Sequence, residues 1–123
     1  MTPHNPHNKN LKEKNSRHNS LCEIVLKDLI SRGFTVYMYK EYKSYKPNSK
    51  CGEIDLYATK PGYEGYILDI EVKATYSYKN KKKSIDQLFR AEENFLPFKG
   101  KRVFKIFAYG CPKADSVAYK LIY

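Results

Sequence analysis

The chain has 123 residues, enough for one domain with a packed core and too few for two. Hydrophobic residues make up 41% and aromatic residues 15%, which excludes wholesale disorder, and no apolar run approaches the roughly 20 residues that a membrane-crossing helix needs. Lys and Arg number 23 against 13 Asp and Glu, so a net charge of +10 makes nucleic acid the expected partner; a basic composition without such a partner is the alternative. Cys22, Cys51 and Cys111 form no C-x-x-C pair, so neither a disulfide framework nor a zinc site is expected. His4 and His7 lie in a Pro/Asn-rich tail with no nearby Cys. The N-terminus has no apolar secretory stretch, and the expected location is the cytoplasm, with no membrane partner.

Residues 1–15 are polar and without periodicity, and read as a flexible basic arm before a single domain over 16–123. From Ser20 to Gly33, Leu21, Val25, Leu26, Leu29 and Ile30 recur at helical spacing, and Gly33 is a natural stop. Phe34 to Tyr39 reads as a strand leading into a loop from Lys40 to Cys51 that carries Lys40, Lys43, Lys46 and Lys50 against Glu41. Gly52 to Thr59 and Tyr66 to Thr75 form a hairpin around Pro61-Gly62. A Lys-rich turn, Lys79 to Lys83, precedes Ser84-Ile85-Asp86-Gln87, a capping box opening a second helix that runs toward Pro97. Arg102 to Tyr109 and Val117 to Tyr123 read as the last two strands. The order αβββαββ predicts an α/β fold with a mixed sheet flanked by helices.

Polar residues interrupt the central hairpin. Alternation places Glu53 and Asp55 on one face of one strand, and Asp69, Glu71 and Lys73 on one face of the next. Solvent-facing polarity on a half-exposed sheet has the same pattern. The combination of an Asp after a Gly in one strand, Glu-x-Lys in the next, flanking helices and a Glu on the first helix resembles the PD-(D/E)XK nuclease superfamily. Ile54 stands where the Pro of that name would be. Within the superfamily, the helix with Glu23, "RGFTV", "EIDLYA" and "LDIEVKAT" are most similar to archaeal Holliday junction resolvases.

The resemblance implies a restriction-endonuclease-like core and an Mg²⁺-dependent DNA endonuclease, structure-selective and homodimeric, with Mn²⁺ able to substitute. It implies catalytic Glu23, Asp55, Glu71, Lys73 and Gln87, with metal held by Glu23, Asp55, Glu71 and the Val72 carbonyl. Paired carboxylates suit Mg²⁺, and a Lys on the same face can orient water or stabilise developing negative charge. Alternatives at single residues stay open. Lys73 is a catalytic cation or an ion-pair partner of Asp69 or Glu71; Glu23 faces the sheet or is a solvated helix edge; Gln87 joins the site or completes the capping box.

The DNA contacts implied by charge and resemblance are Arg17, Lys43, Lys46, Lys50, Lys79, Lys81, Lys82 and Lys83, a solvated turn being the other reading of the last four. Tyr42, Tyr45, Tyr76 and Tyr78 either stack on unpaired bases or are surface strand residues. Tyr119, Leu121 and Tyr123 are the candidates for a dimer contact. Exonucleases, nicking enzymes and homing-type nucleases of the same core are alternative functions, and a catalytically silent nucleic-acid-binding module is the alternative of another class.

Overall fold

The structure is a computed structural model that describes residues 9–43, 51–112 and 116–123, with residues 9–15 given as backbone alone. Helix α1 (Lys9–Ser31) is followed by strands β1 (Thr35–Tyr42), β2 (Gly52–Thr59) and β3 (Tyr66–Lys73). Helix α2 (Tyr78–Asn94) and a single 3₁₀ turn (Leu96–Phe98) then lead to β4 (Arg102–Gly110) and β5 (Val117–Leu121). The five strands form one mixed sheet in the order β1-β2-β3-β4-β5. Three neighbouring pairs are antiparallel, and β3 runs parallel to β4 because α2 carries the chain across between them.

The core has two halves, one on each face of the sheet. Leu21, Cys22, Val25 and Leu29 of α1 pack on Leu56, Ala58, Ile70, Val72 and Ala108. On the other face, Ala91 of α2 and Phe98 pack with Tyr57, Ile67 and Val103. Both faces of the central strands are therefore covered, which is why five consecutive residues of β2, Ile54 to Ala58, are buried although the hairpin reads as alternating.

Both helices begin earlier than periodicity predicts. α1 begins at Lys9 because 9–19 holds no Pro or Gly and is rich in helix formers, although it lacks the apolar repeat that marks a buried face. α2 is capped by Ser77, whose hydroxyl accepts from the Asn80 N–H at 3.0 Å. Lys79, Lys81, Lys82 and Lys83 thus belong to its opening turns rather than to a loop. Ser84 lies buried inside the helix, so the capping-box reading of Ser84 and Gln87 is corrected. Four lysines at a helix N-terminus oppose the macrodipole, so charge pattern argued against the true start.

Candidate active site

The site is built where β2 and β3 part. Their register pairs Leu56 with Ile70, Tyr57 with Asp69 and Ala58 with Leu68, and would next set Asp55 opposite Glu71 and Ile54 opposite Val72. The ladder stops there. The Val72 N–H donates instead to Asp55 Oδ2 at 2.9 Å, so a side-chain oxygen takes the place of a backbone partner. On the other side of β2, the β1 pairing skips Tyr39, which stands opposite Asp55 with φ 51°. A positive φ at a non-glycine residue is strained, and it turns the Tyr39 hydroxyl onto Asn19 Oδ1 of α1 at 3.2 Å. Ile54 packs in the α2-side cluster and Leu56 in the α1-side cluster, so strict alternation breaks across Asp55.

Asp55 and Glu71 are both buried, and the Asp55 charge acts directly on the Glu71 carboxyl. Lys73 Nζ lies 3.7 Å from Glu71 Oε2. His18 of α1 brings Nε2 to 3.2 Å from Asp55 Oδ2, and its ring also contacts the Cys22 sulfur. A hollow of about 530 Å³, lined by His18, Asn19, Tyr39, Glu53 and Lys73, opens beside the pair.

Glu23, by contrast, is exposed. Helical phase explains this: His18, Leu21, Cys22, Val25 and Leu29 share the sheet-facing side, and Glu23 falls one step beyond it. The α1 residue on Asp55 is His18, and of the two readings of Glu23 the solvated helix edge is the one observed. Reading α1 as starting at Ser20 hid His18; its i,i+4 spacing to Cys22 was the available signal.

Other site residues fall as follows. Gln87 is on α2 with Oε1 buried and unpartnered, as are Asp69 Oδ2 and Ser84 Oγ. Asp69 does not pair with Lys73. It sits opposite Lys105 on β4, whose buried ammonium bonds Glu92 at 2.8 Å. Arg17 donates to the Cys111 carbonyl at 3.4 Å. Lys43, Lys79, Lys82 and Lys83 are exposed and Lys81 is half-buried; Lys46, Lys50 and Tyr45 lie outside the described residues. Tyr42 is buried against Phe95, Tyr76 packs on Phe107 and Tyr109, and Tyr78 is exposed at the start of α2. Tyr119 donates to Asp28 at 2.8 Å and Tyr123 lies over Lys105, and Leu121 and Tyr123 are both exposed.

Burial, and then the charge of Asp55, pushes the Glu71 carboxyl well above the usual carboxylate range; burial does the same to Asp69. His18 is pushed up to about 10, first by its hydrogen bond to Asp55 and then by Cys22. All three groups bind protons more tightly folded than unfolded, so stability falls as pH rises. The carboxylates begin to cost stability above about pH 4. The His18 contribution is complete below its unfolded value of 6.5 and is lost as pH climbs toward 10. Thermal unfolding between about pH 5 and about pH 9 is expected to give a steadily falling melting temperature; a rise over that interval contradicts the assignment.

Two buried carboxylates in contact resist carrying two full charges unless a cation joins them. Their hard oxygens, at a point where the strands have opened, fit a divalent ion of the Mg²⁺ type, which keeps several waters and needs few protein ligands. Among the described residues no group of three or more His, Cys, Asp and Glu side chains is arranged to hold a metal, so such an ion would rest on the pair, backbone carbonyl and water. No helix among the described residues is long and apolar enough to cross a membrane. No family model, curated protein or solved structure matches the chain.

Proposed function

We propose that the protein is a metal-dependent nuclease of the PD-(D/E)XK type that hydrolyses phosphodiester bonds in DNA. The observation that carries this reading is the buried Asp55–Glu71 pair with Lys73 at 3.7 Å, beside a hollow where β2 and β3 separate. Mg²⁺, held by Asp55, Glu71 and the Val72 carbonyl, would supply positive charge to the scissile phosphate. Lys73 Nζ donates to the attacking water or to a non-bridging phosphate oxygen and so balances charge that grows in the transition state. Protonated His18 and the Val72 N–H both bond Asp55 Oδ2, and together they fix the carboxylate for its task. The Gln87 amide oxygen has no capping duty and no partner, and as an acceptor it suits the Lys73 ammonium rather than a phosphate.

The charge distribution supports DNA as the substrate. Lys79, Lys81, Lys82 and Lys83 stand on the positive end of α2, an unfavourable arrangement that phosphate would relieve. Replacing Lys81, Lys82 and Lys83 together by Ala should lower the salt dependence of DNA binding, by about 0.9 in log–log slope for each phosphate no longer neutralised. An unchanged slope in fluorescence anisotropy returns these lysines to solvent.

Resolvase-like selectivity is the finer reading, and it requires two sites related by a two-fold axis. The free edge of β5, with Leu121 outward, is a surface on which two sheets could join. A panel of four-way junction, linear duplex and single strands, with light scattering on the same samples, tests it. Preferential junction cleavage by a dimer is expected; a monomer that cuts linear DNA equally well contradicts the resolvase reading. A catalytically silent nucleic-acid-binding module is the second reading, favoured by the absence, among the described residues, of three or more His, Cys, Asp and Glu side chains arranged to hold a metal.

A further inference from the structure

The far end of β3 holds a second recess, apolar and of about 410 Å³, within the roughly 300–1,000 Å³ range of small-ligand clefts. It exists because α1 ends at Ser31 and Gly33, with φ 89°, turns the chain into β1, leaving this end of the sheet to loops. Ala58 adds to the space by offering no side chain beyond Cβ where neighbouring strand positions carry Leu or Ile.

Its walls are flat and its edges are cationic. Tyr66 and Phe104, on adjacent parallel strands, lie nearly parallel at 18° with ring centroids 6.0 Å apart. The Arg102 guanidinium sits 5.3 Å from the Phe104 ring centroid, and Lys60 Nζ sits 5.1 Å from that of Phe34. Tyr63 and Tyr66 remain 59% and 48% exposed, so aromatic surface is open to a visitor. Glu64, in the adjoining turn, is engaged by the Gly62 N–H at 3.1 Å.

Aromatic faces bordered by fixed cations select a planar group that carries negative charge nearby, the description of a nucleobase with its phosphates. An uncharged aliphatic ligand would gain nothing from Lys60 and Arg102. We propose that this recess receives an unpaired base of the bound DNA, stacked against Tyr66 or Phe104, with flanking phosphates on Lys60 and Arg102. The inference rests on the nucleic-acid reading above and adds a substrate class to it: DNA with a single-stranded segment. Tyr66 is five residues from Glu71 along β3, or roughly 17 Å at about 3.3 Å per residue.

The test uses the full chain with Asp55→Asn, which is expected to bind without cutting. A fluorescent purine analogue is moved one position at a time along a single-stranded extension of a duplex. Quenching at one or two adjacent positions is expected. In the same background, Tyr66→Ala, at an exposed position, and Phe104→Leu, which keeps apolar volume, should each remove the quenching and weaken binding about tenfold, leaving blunt duplex unaffected. DNA bound with no quenching anywhere, or bound by both variants as tightly as by the Asp55→Asn parent, overturns the base site and leaves the nuclease reading intact. DNA not bound at all overturns both.

Discussion

Asp55→Asn or Glu71→Gln is expected to lower the cleavage rate by at least about 10³-fold with DNA affinity nearly unchanged, since a metal ion contributes several kcal/mol to phosphoryl transfer and each 1.36 kcal/mol is tenfold. Both substitutions keep the shape of the side chain and remove the charge. The two variants should differ in stability. Glu71→Gln replaces a desolvated carboxyl held well above its usual range, so its melting temperature at neutral pH should stay level or rise. Asp55→Asn puts an amide where one oxygen takes both the Val72 N–H and protonated His18, and its melting temperature should fall. Cleavage assays beside thermal unfolding check both parts, and near wild-type turnover in either variant would move the site elsewhere.

Lys73→Ala should reduce the rate by about 10²–10⁴-fold, the range for a positioned proton donor or charge-stabilising group. The geometry alone admits a second role, because Nζ at 3.7 Å from Glu71 Oε2 is also an ion pair. The two roles part in their readouts. A catalytic cation leaves the melting temperature nearly unchanged on removal, since Lys73 is partly exposed, whereas a purely structural partner lowers stability and spares the turnover of the folded fraction. Lys73→Arg keeps the charge, so recovery of stability without recovery of rate also points to catalysis.

Much of the fold was legible because hydrophobic periodicity and turn residues agree along the chain. β2 was read to its observed limits, the Pro61-Gly62 hairpin formed, and the order αβββαββ matches the elements of the structure. The helix starts were not legible, since neither carries an apolar repeat: the opening of α1 is polar and that of α2 is a lysine cluster set against its own dipole. The site followed the same division. Glu71 and Lys73 share a strand face by a period of two, and the neighbouring strand brings Asp55 to them although strict alternation breaks at that residue. Neither the place of His18 nor the choice between the two readings of Glu23 was legible, because a helix assigns faces by phase, and the phase of α1 depends on contacts with Leu56, Ile70 and Val72 that lie far along the chain. Asp69 was read beside Lys73 on one strand face, whereas its cationic neighbour, Lys105, comes from a strand whose register only the parallel β3–β4 pairing reveals.

The central claim, hydrolysis of DNA at the Asp55–Glu71 pair, is tested most directly by nicking of a supercoiled plasmid, where a single cut per molecule is visible. Purified protein should convert the plasmid to the relaxed form with Mg²⁺ or Mn²⁺, should fail in chelator, and should fail as Asp55→Asn with either ion. A plasmid left supercoiled by the wild-type chain with both ions, or nicked as fast by Asp55→Asn, would contradict it.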